Sequence, residues 1–272
     1  MKQSFAQAML FTAAVTGALW LFLHALWSPE AWPAPEMRPL QGEAVDKARL
    51  SSGVVTHSAA ALRRVVREPQ NAWSNLAYVL AGALIGAHFR GRLLRGVALA
   101  MIGVGIGSFL YHASASGTLR AVDVGAMYWL FGHLALLALA SLRPRFAAWC
   151  ERWAVSLTCG LLVASMAVTP RRGVSVWGIK PFDISLVTGT AALVLAAALL
   201  ARAVHARRWS AWAWPAGSAI LFAFAAALQI GDRAGGWCWN PHAVLQGHAL
   251  WHLLSATASG LAVWGLARPT GQ

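Results

Sequence analysis

The sequence predicts an all-α integral membrane protein, a seven-transmembrane-helix bundle with an additional N-terminal hydrophobic helix. Three observations carry this. Of 272 residues, 58% are hydrophobic and 11% charged, against roughly 25% charged in soluble domains, so the chain lacks the polar residues to cover a water-exposed surface. The apolar residues gather in runs near the roughly 20 residues that a helix needs to cross the hydrocarbon core. The net charge of +13 sits in short basic clusters between those runs, which is the positive-inside pattern and not a nucleic-acid-binding face. No nucleic-acid partner is expected. Cys150, Cys159 and Cys238 form no CxxC pair, which indicates neither a disulfide framework nor a cysteine metal site.

The first apolar run, Phe5 to Trp27, follows Lys2. It exceeds the 7–15 residues usual for the core of a signal peptide and lacks a good A-x-A cleavage site, which favours a retained membrane helix or uncleaved signal anchor over residues 1–28. Residues 29–70 are polar, Pro-rich and of mixed charge, an extramembrane segment too short for a domain. Residues 71–268 then hold seven spans, near Trp73–Phe89, Val97–Ala115, Leu119–Leu142, Ala148–Val168, Phe182–Ala201, Trp212–Ile230 and Ala243–Leu266. The connections with Arg90, Arg92 and Arg95, with Arg143, Arg145 and Arg152, and with Arg202, Arg207 and Arg208 are richer in base than the alternate ones. They are expected to face the cytoplasm, as is the C-terminus. Arg171, Arg172 and Lys180 run against that assignment.

Between Gly107 and Asp123 the polar groups cluster. Ser108 and His112 are four residues apart and share a helix face. The break around Ser116 to Thr118 has turn and N-cap chemistry, so two antiparallel helices should meet there. Asp123 then lies beyond the turn at a depth similar to that of His112. Near the other end, His248 and His252 form an HxxxH pair, two imidazoles on one helical face, a common way to hold zinc. On the expected topology His112, Asp123, His248 and His252 all fall in the outer-leaflet third. Three histidines with a fourth position left for water make a catalytic arrangement, and zinc lowers the pKa of such a water to about 7. Asp123 would orient the water or take its proton, and Ser108 would hydrogen-bond a developing oxyanion. His133, deep in the third span, is expected only to bond a neighbouring helix. His24, His57, His88 and His205 are expected to be interfacial or solvated. His242, just before the last span, is at most a spare ligand, and Asp183 either pairs with Lys180 or another basic group or sits at the site edge. Asn71, Ser74 and Asn75 either cap the first span or brace the site.

Glu68-Pro-Gln-Asn71-Ala-Trp-Ser74-Asn75 resembles the E-x-x-N-x-x-S-N opening of the alkaline ceramidases. Ser108-x-x-x-His112, Asp123 and His248-x-x-x-His252 match the rest of that pattern in order. The resemblance runs from about Glu68 to Leu266 and implies a seven-helix membrane hydrolase of the group that includes the progestin and adiponectin receptors. It implies that His112, His248 and His252 bind Zn2+ and that Ser108 and Asp123 assist amide hydrolysis, with Glu68, Asn71, Ser74 and Asn75 as site support. Where the animal enzymes carry an acidic calcium-binding stretch, this chain has SSGVVTHSAAALRRVVRE with Glu68 alone, which argues against calcium. The N-terminal helix also lies outside the family pattern.

The expected activity is zinc-dependent hydrolysis of ceramide or a related long-chain lipid amide to a free fatty acid and an amine base. The expected partners are that lipid and the bilayer, with no obligate protein partner. A receptor-like relative without turnover is the first alternative, although the chain has no large extramembrane domain for signalling. A transporter with a histidine relay is the second, but it would favour internal repeats and midplane helix breaks, which are not seen in the sequence.

Overall fold

A computed structural model describes residues 2–25, 66, 68–169, 197, 200, 201, 204, 210–231 and 246–267. Among them the chain is all-helical. The helices are α1 (Lys2–Ala25), α2 (Pro69–Ser74), α3 (Leu76–His88), α4 (Arg92–Ser114), α5 (Gly117–Leu142), α6 (Pro144–Arg152), α7 (Ala154–Val168), α8 (Ser210–Gly231) and α9 (Gly247–Ala267). Three of them, α4, the Thr118–Leu142 part of α5, and α9, are long and apolar enough to cross a membrane. The pair α6 and α7, bent by 79° at Trp153, makes a fourth if it counts as one span. Phe5–Leu21 in α1 and Ala216–Gln229 in α8 are shorter apolar stretches. The expected span Phe182–Ala201 lies almost wholly outside the described residues.

Leu10, Leu99, Val155, Val163, Ile220 and Phe224 are all exposed. Large apolar side chains so widely displayed suit lipid and not water, and the apolar helices mark a membrane-embedded protein.

The core lies between α3, α4, α5 and α9, around Met101, Val104, Leu130, Leu134 and Val263. Helix α4 packs on α3 and α5, α9 packs on α8 and α3, and α1 lies against α3. Side-chain size sets the approach of these helices. A Cβ on Gly105 would stand 2.6 Å from Val79 Cγ2 and 2.9 Å from the Asn75 carbonyl oxygen. The missing side chain therefore lets the junction of α2 and α3 settle directly on α4. The neighbours of Gly96, Gly103 and Gly107 are His133, Trp129 and Val122 in turn, which is the descending register of an antiparallel α4–α5 pair.

The turn between α4 and α5 is short. Ala115 closes α4 in the left-handed region at φ 54°, with its N–H on the Tyr111 carbonyl at 2.6 Å. The Ser114 hydroxyl accepts from the Ser116 N–H at 3.1 Å, and Ser116 is extended at the start of α5. This is the antiparallel junction expected from SASG.

Candidate functional site

The site forms where three helix ends converge. His112 is in the last turn of α4, His248 and His252 are in the first two turns of α9, and the short α2 packs against both helices. Residue 68 is tied to α4 through the backbone, the Glu68 N–H donating to the His112 carbonyl at 3.1 Å. Trp73 packs edge-on against Phe109 with centroids 4.8 Å apart, which seats α2 over the end of α4. The imidazole centroids lie 4.8 Å apart for His112–His248, 5.1 Å for His112–His252 and 4.5 Å for His248–His252. One ring nitrogen from each falls within 4.8 Å of the others, and all three residues are buried.

The partners of the Nδ1 atoms determine which nitrogens face inward. His112 Nδ1 meets Glu68 Oε2 at 2.5 Å, and a carboxylate only accepts, so Nδ1 carries the proton. His252 Nδ1 is 2.8 Å from Ser74 Oγ. The Ser74 hydroxyl gives its proton to the Asn71 carbonyl at 3.0 Å, so it accepts from His252. His248 Nδ1 donates to Gln229 Oε1 on α8. All three rings therefore carry hydrogen on Nδ1, which in the neutral imidazole leaves Nε2 free to ligate. The Nε2 atoms of His112 and His248 stand 3.1 Å apart, a spacing at which the two rings either share a proton or ligate one cation together. In a tetrahedral site with metal–nitrogen bonds of about 2.0–2.1 Å, ligand nitrogens are roughly 3.3 Å apart. Spacing, burial and the hydrogen-bonded Nδ1 shell fit a metal ion and are compatible with zinc.

The other expected site residues are placed as follows. Ser108 is buried on α4, one turn before His112. Asp123 is buried on α5, within electrostatic reach of Tyr78, whose hydroxyl donates to Ser255 at 2.8 Å. The α4–α5 register, with Gly107 opposite Val122, puts Asp123 level with Ser108 and about one turn deeper than His112. The expected equal depth of His112 and Asp123 is thus refined by a turn. Asn71 Nδ2 donates to Glu68 Oε2 at 3.3 Å, and Asn75 Nδ2 to the Asn71 carbonyl at 2.7 Å. No side-chain cap bond forms at the start of α2 or α3.

The remaining histidines fall elsewhere. His133 is buried between the Trp129 carbonyl at 3.0 Å and Thr158 Oγ1 at 3.1 Å, joining α5 to α7. His88 stacks on Trp264 at 4.5 Å in the last turn of α3. His57, His205, His242 and Asp183 lie outside the described residues. Gln229 was not singled out from the sequence. Its signal is a lone amide late in the apolar run of α8.

Fold and site together define a membrane-embedded helical protein with a buried three-histidine centre near the ends of its helices. The family model described as Ceramidase matches residues 61–268. The chain belongs to that family, and membership supports a ceramide-hydrolysing membrane enzyme. A search of curated proteins returns no match.

Proposed function

We propose that the protein is a zinc-dependent intramembrane hydrolase that cleaves the amide bond of ceramide or a related long-chain lipid amide, giving a free fatty acid and an amine base. The observation that carries this is the convergence of three buried imidazoles, each with its Nδ1 held by an oxygen from another helix or helix start. His112, His248 and His252 would hold the metal through Nε2. Zinc bound there would supply a Lewis acid that makes water more acidic, so that it can give up a proton near neutral pH.

The rest falls to the chain's own groups. Glu68, Gln229 and Ser74 hold the three rings in the ligating tautomer. The Ser108 hydroxyl donates to the amide oxygen as it gains negative charge. Asp123 takes the proton released as water adds to the carbonyl carbon and passes it to the departing nitrogen as the C–N bond breaks. The apolar walls exclude bulk water and suit long acyl chains. We place the centre in the outer-leaflet third of a seven-span core with a cytoplasmic C-terminus, on the basis of the arginine-rich connections.

The test is release of fatty acid from a panel of lipid amides by purified protein, with and without zinc. Zinc-dependent release from ceramide or another long-chain amide is expected. A protein that binds ceramide but releases no fatty acid with zinc restored would instead match the receptor-like alternative.

A further inference from the structure

Helix α8 is apolar from Ala219 to Ile230 except at Gln229, the only hydrogen-bonding side chain in that stretch. A primary amide amid apolar surroundings costs free energy unless it is paired. The packing of α8 on α9 shows how it is paired. Gly217 lies beside Leu261, the Ser218 hydroxyl donates to the Ala258 carbonyl at 2.9 Å, and Phe222 meets Trp251 edge-on at 5.8 Å. These contacts follow one antiparallel register, and continuing it by two turns brings Gln229 to His248. The Gln229–His248 hydrogen bond is thus an outcome of the whole α8–α9 interface, not of one side chain's rotamer.

We propose that Gln229 is the positioning residue for His248. Its amide oxygen holds the His248 Nδ1–H and so aims Nε2 at the centre shared with His112 and His252. The inference rests on the proposal that these histidines hold zinc. Amide orientation decides the outcome. With Oε1 toward the ring, Nδ1 keeps its hydrogen and Nε2 is free to ligate; with the amide NH2 toward the ring, the hydrogen moves to Nε2 and the ligand is lost. Glu68 performs the same task for His112 with a carboxylate. At His248 the holder is neutral, so it orients the ring without adding charge beside Glu68 and the buried Asp123.

The experiment uses the full chain, purified in detergent, and measures zinc affinity by competition with a chromophoric chelator, together with the visible spectrum of the cobalt(II)-substituted protein. Gln229→Leu keeps the bulk without an acceptor, and Gln229→Asn keeps the amide but shortens its reach. Both are expected to weaken zinc binding about 10–100-fold and to alter the cobalt spectrum, while the melting temperature of the zinc-free protein stays near the parent's. Gln229→Glu retains an acceptor and should restore affinity to within a few-fold. His248→Ala is the reference for loss of the ligand itself. Parent-like zinc affinity and cobalt spectrum in both Gln229→Leu and Gln229→Asn, with His248→Ala defective, would overturn the role of Gln229 alone. A parent protein that binds no zinc would overturn the metal proposal and this one with it.

Discussion

Removing the Glu68 carboxylate should loosen the metal centre without dismantling the fold. Glu68 is 4% exposed and holds His112 Nδ1 at 2.5 Å. In Glu68→Ala the imidazole N–H stays buried and loses that acceptor, a loss of about 1–3 kcal/mol. Deleting such a ligand-orienting partner typically weakens metal binding 10–100-fold, or about 1.4–2.8 kcal/mol at 1.4 kcal/mol per decade. Glu68→Gln keeps an acceptor oxygen but not its charge. Since charge-assisted hydrogen bonds are roughly twice as strong as neutral ones, it should lose about half as much, within a factor of ten. The backbone bond from Glu68 to the His112 carbonyl at 3.1 Å survives both changes and keeps the segment docked. Chelator competition on purified protein measures zinc affinity directly. Unchanged affinity in Glu68→Ala would show that the Glu68–His112 pair does not tune the centre.

Other outcomes follow from the same geometry. Asp123→Asn and Ser108→Ala should keep their zinc yet slow lipid-amide hydrolysis about 10²–10⁴-fold and 10²–10³-fold respectively, which initial rates and metal content on the same samples will check. If Asp123→Asn turns over at the parent rate, Asp123 is structural. His133→Ala should retain zinc but lower thermal stability by about 1–3 kcal/mol, because Thr158 Oγ1 loses its buried partner; a melting curve beside a metal assay separates the two. Gly105→Ala should cost about 1–3 kcal/mol through overpacking, since its Cβ would meet Val79 and the Asn75 carbonyl at under 3 Å. Calcium-selective chelation should leave turnover unchanged, because the Glu68 carboxylate is engaged by His112 and Asn71.

Much of this site was legible in the sequence because helical spacing is local. Ser108 and His112, or His248 and His252, share a face by their four-residue separation alone, and the SASG break signalled the antiparallel turn. The E-x-x-N-x-x-S-N stretch marked its residues as noteworthy but left capping and bracing equally open. Only tertiary packing brings Ser74 to His252 and Glu68 to His112, across 178 and 44 residues of chain. Gln229 escaped notice for the same reason, since the α8–α9 register that carries it to His248 leaves no local pattern. Within the expected spans, the breaks at Asn75 and Trp153 were also hidden. Hydropathy averages over a window, and a kink changes direction without changing composition.

The central claim is that His112, His248 and His252 together hold one catalytic zinc. Its most direct test is the zinc-to-protein ratio of the purified parent and of the three single His→Ala proteins, measured on the same samples as fatty-acid release from ceramide. The account predicts about one zinc per chain and activity in the parent, with both lost in each variant. Full zinc occupancy in the His252→Ala protein, or undiminished release from a parent stripped of zinc, would contradict it.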